Sequence, residues 1–308
     1  MTTTPASTDA LLSPRLQQGD RVRLISPASF PDREWLSTEV RILESWGLVV
    51  EVGEHALDQW GYMAGRDEDR LADLNDAFRD PGVRAIVTTR GGAGAYRIVD
   101  GIDFAAVRAD PKPLVGFSDV TNLHVALWEG AGLAGVHGCI DGERAITSVR
   151  ALLMGGEGVT LHRDPEALTA AVEVAGHANA RLLGGNLRAV AGFVGTGLLN
   201  LDGAILLLED ERTRGLGQVD RELNQLRRSG ALNRIAGIAL GRCPGFEGYE
   251  DRGWTLLDVL QDQLCGLGVP VLGGLNVGHV LSPLAVPLGP QAVLDVAAGT
   301  LTVQPCVL

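Results

Sequence analysis

Residues 113–129 read PLVGFSDVTNLHVALWE, and the fold class follows from this stretch. PLVGF (113–117) is a short apolar run, typical of a strand buried within a sheet. The residues that follow, SDVTNLHVALWE (118–129), have the pattern of a helix. A strand that passes directly into a helix is the repeating unit of α/β proteins. The stretch therefore predicts a strand at 113–117 and a helix at 118–129.

The same alternation extends toward both ends of the chain. Residues 34–46 place Leu36, Val40 and Leu43 at i, i+4 and i+7, which is helical spacing, and residues 67–78 form a similar apolar face. The apolar runs between and beyond these helices are VRLISPA (22–28), LVVEV (48–52), AIVTT (85–89) and LAGVHG (133–138). Because strands alternate with helices, we predict an α/β fold with a parallel sheet.

The pattern weakens over residues 153–180, where glycine, proline and charge occur without a strong period. It resumes with an apolar segment at 182–195, followed by strands and helices. The predicted strands are AILLLED (204–210) and IAGIALG (235–241), and the predicted helices lie at 219–228 and near 254–264. We therefore predict four segments, which are a loose polar arm at 1–18, a first domain at 19–152, a linker at 153–180 and a second domain at 181–308.

Charge and length limit the partners of the chain. It has 308 residues, a net charge of −12 and only 26 lysines and arginines, without a basic run. Proteins bind DNA and anionic membranes largely through clustered basic residues, so we expect neither partner. The N-terminus lacks the charged and apolar regions of a signal peptide. Polar residues and glycines interrupt the apolar stretch at 189–208, which predicts a helix, a turn and a strand rather than a membrane span.

The cysteines indicate a reducing compartment. None of Cys139, Cys243, Cys265 and Cys306 is spaced as CxxC, and a disulfide framework is uncommon in a chain this long with so few cysteines. We expect reduced thiols in a cytoplasmic protein. HExxH and the phosphate-binding GxxxxGK[ST] pattern are both absent from the sequence, so we expect no metal and no cofactor.

Four segments join an apolar strand to a polar or glycine-rich turn. Ligands of α/β sheets bind at the carboxyl ends of strands, where such segments can meet. The four contribute Ser118 from LVGFSDVTN, the turn RGGAG (90–94), Glu209 with Asp210 from ILLLED, and His279 from GLNVGH. Ser118, His279 and Glu209 supply a nucleophile, a base and a carboxylate that orients the base. This is the set of groups that acyl transfer requires.

Each of these residues also has an interpretation without chemistry. Ser118 has the position of a helix N-cap, Glu209 and Asp210 could be solvated acids at the start of a loop, and a lone histidine is usually structural. RGGAG could be an ordinary tight turn, or a weak match to a nucleotide-binding loop that makes the chain a binding module. The rivals for the base and the nucleophile are His137 and Cys139.

At these residues the chain resembles the LD-carboxypeptidase family of serine peptidases, which includes muramoyl-tetrapeptide carboxypeptidases and microcin C immunity proteins. The resemblance runs from about residue 19 to 289. The matching segments are GDRVRLISPAS (19–29), AGRDEDRLADLNDAFRDPGVRAIVTTRGGAG (64–94), VGFSDVTNLH (115–124), LLGGNL (182–187), LLLEDE (206–211), VGH (277–279) and PLG (287–289).

The resemblance implies a catalytic triad of Ser118, His279 and Glu209, with an oxyanion hole formed by backbone N–H groups of Asp119 and Gly92. It also implies a Rossmann-like N-terminal domain, a smaller β-rich α/β C-terminal domain and a homodimer. Two activities follow from it. The first is release of D-alanine from murein tetrapeptide by cleavage of an L,D-peptide bond. The alternative is cleavage of an amide bond in a peptidyl or aminoacyl nucleotide antibiotic.

Three positions depart from the pattern of the family near the expected cleft. Ala93 occupies a position in the RGG turn where an aromatic residue is frequent, and Tyr96 follows three residues later. The run ERTRGLGQVDR (211–221) lacks the Pro-Tyr pair of many murein-cleaving members, and Ala285 replaces a common threonine. Because these changes concern the substrate rather than the triad, the sequence leaves both substrate classes open.

Overall fold

The computed structural model describes residues 10–308, and six strands form its first sheet. The strands are β1 (Arg21–Ile25), β2 (Val49–Val52), β3 (Val83–Thr88), β4 (Leu114–Gly116), β5 (Gly135–His137) and β12 (Val286–Leu288). Their order across the sheet is β12-β5-β4-β3-β1-β2. Strands β1 to β5 pair in parallel, and β12 pairs antiparallel with β5.

Helices connect the parallel strands of the first sheet, as the alternating pattern predicts. They are α1 (Arg33–Ser45), α2 (Asp67–Arg79), α3 (Phe104–Ala109) and α4 (Thr121–Ala131), and a further helix, α5 (Glu143–Arg150), follows β5. The predicted helices at 34–46 and 67–78 match α1 and α2 to within one residue. The predicted helix at 118–129 begins as a 3-10 turn over Ser118–Val120 and continues as α4.

The second sheet has eight strands and carries three helices. The strands are β6 (Val159–His162), β7 (Glu173–Val174), β8 (His177–Asn186), β9 (Ile205–Glu209), β10 (Gly237–Leu240), β11 (Val271–Leu272), β13 (Gln291–Asp295) and β14 (Thr300–Val303). Their order is β6-β14-β13-β8-β9-β10-β11-β7. Strands β8 to β11 pair in parallel, whereas the strands toward β6 pair antiparallel. The helices in this half are α6 (Leu187–Gly192), α7 (Leu216–Arg228) and α8 (Leu256–Leu264). Two sheets of these kinds confirm the predicted α/β class.

The structure differs from the predicted segments at 1–18 and 153–180. Residues 1–9 of the expected arm lie outside the described residues, but Leu16 is buried in the core rather than loose. The expected linker contributes β6, β7 and the start of β8 to the second sheet. An alternating pattern needs several buried residues on one face of a strand. Strand β6 has a single buried residue, Leu161, so its sequence shows no such pattern.

The described part of the chain, residues 10–308, has no helix that combines the length and apolar character needed to cross a membrane. The apolar stretch at 189–208 instead divides between α6, a turn and β9. All five residues of β9 are buried, because the strand lies in the middle of its sheet with β8 and β10 on either side. A carboxylate at its end, Glu209, is thereby held at a fixed place inside the molecule.

Candidate active site

Ser118 lies at the sharp turn between β4 and α4. Its φ of 61° is in the left-handed region, which costs a non-glycine residue energy and is tolerated where the surroundings impose it. Two glycines make room for this turn. A Cβ on Gly91 would lie 2.8 Å from Cβ of Ser118, and one on Gly116 would lie 2.6 Å from Val120. The turn therefore presents the Ser118 hydroxyl on a tightly packed base.

His279 lies in the loop between β11 and β12, beside Ser118. Its Nε2 is 2.9 Å from Oγ of Ser118, and its Nδ1 is 2.6 Å from Oε2 of Glu209. The centroids of the His279 and Phe117 rings lie 5.0 Å apart. A Cβ on Gly278, whose φ is 102°, would lie 2.4 Å from Oε2 of Glu209. Glycine at 278 thus allows the carboxylate to reach the ring.

Charge determines the direction of these hydrogen bonds. Burial raises the pKa of Glu209, but the hydrogen bond and charge of His279 outweigh burial and hold that pKa below its ordinary value. An ionised carboxylate only accepts, so Nδ1 of His279 donates to it and Nε2 is left to accept from the Ser118 hydroxyl. Burial lowers the pKa of His279, whereas Glu209 raises it, and the net shift is upward. The arrangement is a serine activated by a neutral histidine.

His137, the rival base, lies behind the carboxylate. It is 1% exposed, and its Nε2 is 3.9 Å from Oε1 of Glu209. Burial lowers the pKa of His137 to about 4, so the ring is neutral at pH 7. Neither of its ring nitrogens nor Oε1 of Glu209 has a hydrogen-bond partner among the described residues. His137 therefore neighbours the carboxylate, whereas His279 is the histidine hydrogen-bonded to Ser118.

Two cavities meet at Ser118 and His279. The larger has a volume of about 650 Å³, and its wall includes Asn186, Arg188 and Asp210. The smaller has a volume of about 410 Å³ and lies on the side of α1. Ser118 and His279 line both cavities, together with Gly92 and Glu211. A substrate with its scissile bond at Ser118 can therefore extend in two directions.

The two residues expected to form an oxyanion hole are both near Ser118. Gly92 has a φ of 107° and lines both cavities. The Asp119 side chain turns away from the serine, and its Oδ2 accepts a hydrogen bond of 2.8 Å from the Ala95 amide. Burial raises the pKa of Asp119 to about 6. Their backbone N–H groups remain the predicted donors.

Other polar residues of the larger cavity carry no role in the sequence analysis. Nδ2 of Asn186 donates to Oδ1 of Asp210 over 3.3 Å, and Asn186 also caps α6. Burial raises the pKa of Asp210 to about 6. The signal for Asn186 was its position in LLGGNL, at the end of β8 beside the end of β9. Arg188 donates to Oγ1 of Thr213 at the same wall.

Two aromatic residues on the cavity walls could contact a substrate, whereas three others lie away from the cavities. Phe246 lies in the core, with Tyr249 against it. Neither they nor Trp254 are among the described residues that line the two cavities. Tyr96 lines the larger cavity and Trp35 the smaller one.

One group of side chains within residues 10–308 is close enough to ligate a metal, namely His55, Asp58 and Asp69. Nδ1 of His55 already lies 2.8 Å from Oδ2 of Asp58, and Oδ2 of Asp69 accepts from the Arg66 amide. None of the three lines the cavities at Ser118. This group therefore lies apart from the cleft at Ser118.

Family models match two segments that together cover most of the chain. The model of the LD-carboxypeptidase N-terminal domain matches residues 22–138, and that of the C-terminal domain matches residues 179–294. A protein named probable murein peptide carboxypeptidase from Bacillus subtilis (strain 168) is 36% identical over 302 residues, covering 94% of this chain and 93% of its own. The murein tetrapeptide carboxypeptidase of Pseudomonas aeruginosa is 31% identical over 291 residues, covering 89% and 93%.

A third relative is the microcin C7 self-immunity protein of Escherichia coli, which is 24% identical over 324 residues and covers 92% of this chain and 93% of its own. A solved structure of a microcin C7 self-immunity protein without ligand superimposes with a TM-score of 0.82 at 22% identity, covering 96% and 98% of the two chains. At that identity the superposition shows the fold alone. With both domain models matched and relatives above 30% identity along almost the whole chain, this protein belongs to the LD-carboxypeptidase family of peptidases.

Proposed function

We propose that this protein is a serine carboxypeptidase that cleaves an L,D-peptide bond and releases D-alanine from murein tetrapeptide. The observation that carries the proposal is the chain of hydrogen bonds from Ser118 through His279 to Glu209. It joins residues from both halves of the sequence at the meeting point of two cavities. The identities of 36% and 31% to the relatives named for murein peptides support this substrate class.

In each half of the reaction, one proton moves twice, first to His279 and then away from it. Nε2 of His279 takes the proton of Ser118 while Oγ attacks the scissile carbonyl carbon. Backbone N–H groups of Gly92 and Asp119 stabilise the oxyanion, and one such donor contributes about 10²–10³ in rate. His279 then gives the proton to the nitrogen of D-alanine, so the C–N bond breaks and an acyl-enzyme remains. Water, deprotonated by His279, hydrolyses that ester and restores Ser118.

The first test is the release of D-alanine from L-Ala-γ-D-Glu-meso-diaminopimelyl-D-Ala by the wild type and by Ser118→Ala. We expect kcat to fall by at least about 10⁴-fold in the variant, because the nucleophile is lost. Ser229→Ala is the matched control and should leave kcat unchanged, since its hydroxyl donates to the Leu226 carbonyl at the end of α7 and accepts from the Ala231 amide. A tenth of the activity left in Ser118→Ala would contradict the proposed nucleophile.

The alternative function is cleavage of an amide bond in an aminoacyl nucleotide antibiotic. It shares Ser118, His279 and Glu209 with the first, so the substrate must decide between them. A structure of the microcin immunity protein holds aspartyl sulfamoyl adenosine, which is therefore the probe. Hydrolysis of this compound by a folded protein that releases no D-alanine would replace the murein assignment with the immunity-type one.

We also propose that the protein acts in the cytoplasm on recycled murein peptides and forms a homodimer. Free thiols at all four cysteines support a reducing compartment, where disulfides seldom persist. The homodimer rests on the resemblance to the family. Sedimentation velocity checks it, because a dimer has twice the mass of one chain.

A further inference from the structure

Glu39 is a buried acid on the apolar face of α1. The residues of α1 that face the sheet are Leu36, Glu39 and Leu43, so a carboxyl group occupies a position that helical spacing reserves for the core. Glu39 is 4% exposed, and its Oε2 has no hydrogen-bond partner among the described residues. A buried polar atom without a partner costs stability and is uncommon in folded proteins. The packing of α1 alone gives no reason for it.

The smaller cavity lies at this carboxyl group. Its wall includes Glu39, Asp141 and Cys139, and it runs to Ser118 at the other end. Burial raises the pKa of Glu39 to about 9, so the group is neutral at pH 7 while the cavity holds no cation. Burial also raises the pKa of the Cys139 thiol to about 11, so this thiol carries no charge.

The charges around the cavity are mostly negative. Asp32, Asp141 and Glu211 line it along with Glu39, and they come from three different segments of the chain. Arg90 is the basic side chain among the described lining residues, and its Nη1 makes a long hydrogen bond of 3.4 Å to the Phe30 carbonyl. Acids thus outnumber bases. A positively charged group of a ligand would be attracted into this cavity.

We propose that the smaller cavity is a subsite for a primary ammonium group. Oε2 of Glu39 and the carboxylate of Asp141 accept hydrogen bonds from this group. The proposal rests on the function proposed above and deepens it. D-alanine, the leaving group, brings a methyl and a carboxylate, and its own nitrogen is part of the scissile bond. The acyl side carries two ammonium groups, one at the N-terminus of the peptide and one at the end of the side chain of the residue that supplies the scissile carbonyl. We assign the side-chain group to the subsite, because it belongs to the residue held at Ser118.

Binding is tested apart from catalysis, in the Ser118→Ala background. Calorimetry compares two tetrapeptides, L-Ala-γ-D-Glu-L-Lys-D-Ala and the same peptide with norleucine, which lacks the amine, in place of lysine. We expect the lysine peptide to bind at least about 10-fold more tightly, as a charge-assisted hydrogen bond implies. In Ser118→Ala/Glu39→Gln this ratio should fall close to one, with the Kd of the norleucine peptide unchanged.

Glutamine is a near-isosteric replacement for a carboxyl group that is already neutral, so the melting temperature of the Glu39→Gln protein should stay close to that of its parent. Asp141→Asn is the second variant. Asp141 is exposed, so the substitution should leave the fold intact and lower the ratio by a smaller factor. A ratio that persists in both variants, equal Kd values in the parent, or no binding of either peptide would each overturn the subsite.

This outcome is distinguishable from failure of the proposed function. Release of D-alanine by the wild type reports on the function, whereas the Kd ratio reports on the subsite. A protein that discriminates the two peptides but cleaves neither keeps the subsite and loses the proposed function. A protein that cleaves both with equal Kd values keeps the function and loses the subsite.

Discussion

At the scale of single residues, the carboxylate of Glu209 decides the state of His279. Oε2 of Glu209 lies 2.6 Å from Nδ1 of His279, and the carboxylate stands inside the protein with 1% of its surface exposed. An interaction between charged groups is stronger where water is excluded. In the proposed reaction, Glu209 therefore both orients the ring and stabilises the protonated form that arises when Ser118 gives up its proton.

The first prediction concerns the pH dependence of activity. His279 must be neutral to accept the proton of Ser118, so kcat/KM should fall as the pH drops through the pKa of His279. Burial lowers this pKa, but Glu209 outweighs burial and raises it above 6.5, the ordinary value for histidine. We expect the acid limb of the profile above pH 6.5. Measurement of kcat/KM from pH 5 to 9 checks this, and a limb below pH 6 would contradict it.

Glu209→Gln should reverse the shift. With the negative charge removed, burial dominates and the pKa of His279 falls, while kcat drops by about 10⁴-fold because the ring loses its orientation. Residual activity would be too low for a profile, so NMR titration of His279 gives the pKa directly. A pKa that stays at the wild-type value would show that the carboxylate does not set it.

Residues found from the sequence share one property, and those missed share another. Ser118 and Glu209 lie at the ends of recognisable apolar strands, and His279 follows a shorter apolar run, so the amino-acid pattern suggests a common sheet edge for all three. Glu39 interrupts an amphipathic helix, where a single acid looks like part of the solvated face. Its burial arises from the contact of α1 with the sheet, which no local pattern records.

At the scale of elements, the turn from β4 to α4 depends on glycines from elsewhere in the chain. Gly91, from the loop after β3, packs directly under Ser118, and a Cβ there would also lie 3.2 Å from the Phe117 carbonyl oxygen. This close approach gives the RGGAG turn a structural purpose that the sequence alone could not separate from phosphate binding. The loop packs against Ser118, the proposed nucleophile, and supports its position.

Gly91→Ala should therefore lower kcat while leaving the protein folded. The new methyl must displace Ser118, since the opposing atoms are Cβ of the serine and backbone, and a misplacement of about 1 Å costs roughly 10²-fold in rate. Gly217→Ala in α7 is the matched control, because its Cβ would have no atom within 4 Å. Alanine stabilises a helix relative to glycine, so this control should keep its kcat and gain melting temperature.

Equal kcat values for the two alanine variants would show that the packing under Ser118 is looser than the distances imply. Melting curves of both proteins separate this effect from unfolding. Loss of the cooperative transition in Gly91→Ala would place the effect on the fold rather than on the nucleophile.

The strands that are recognised from the sequence are buried at nearly every position. Continuous apolar stretches identify β3, β4, β9 and β10, because each lies inside a sheet. By contrast, β6 and β7 together contain one buried residue, Leu161, and their strand character comes from the partners they pair with. The predicted linker at 153–180 contains both of these strands, and neither has a continuous buried apolar run that the sequence could reveal.

At the scale of the whole molecule, the two halves of the sequence are interlocked. Strand β12, from the second half, pairs with β5 at the edge of the first sheet. The C-terminal residues return to the start of the described chain, where the Leu308 amide donates to the Ser13 carbonyl over 2.9 Å. Cys306 is buried in the same core cluster as Leu16. Strand pairing and core packing therefore cross the predicted boundary at residues 153–180.

This interlocking predicts the behaviour of fragments. Residues 1–152 expressed alone lack β12 and the C-terminal segment. The edge of β5 and the core around Leu16 are then exposed to solvent, and Ser118 has lost its hydrogen bond to His279. We expect this fragment to melt without a cooperative transition, because an uncovered strand edge and apolar surface favour aggregation. Residues 153–308 should behave in the same way, and neither fragment should release D-alanine.

Coexpression of both fragments should restore part of the release, since the contacts that join them are noncovalent and include the triad itself. Circular dichroism checks the melting of each fragment, and the D-alanine assay checks the activity of the fragments alone and together. A sharp melting transition in the isolated 1–152 fragment would show that its sheet is complete without β12.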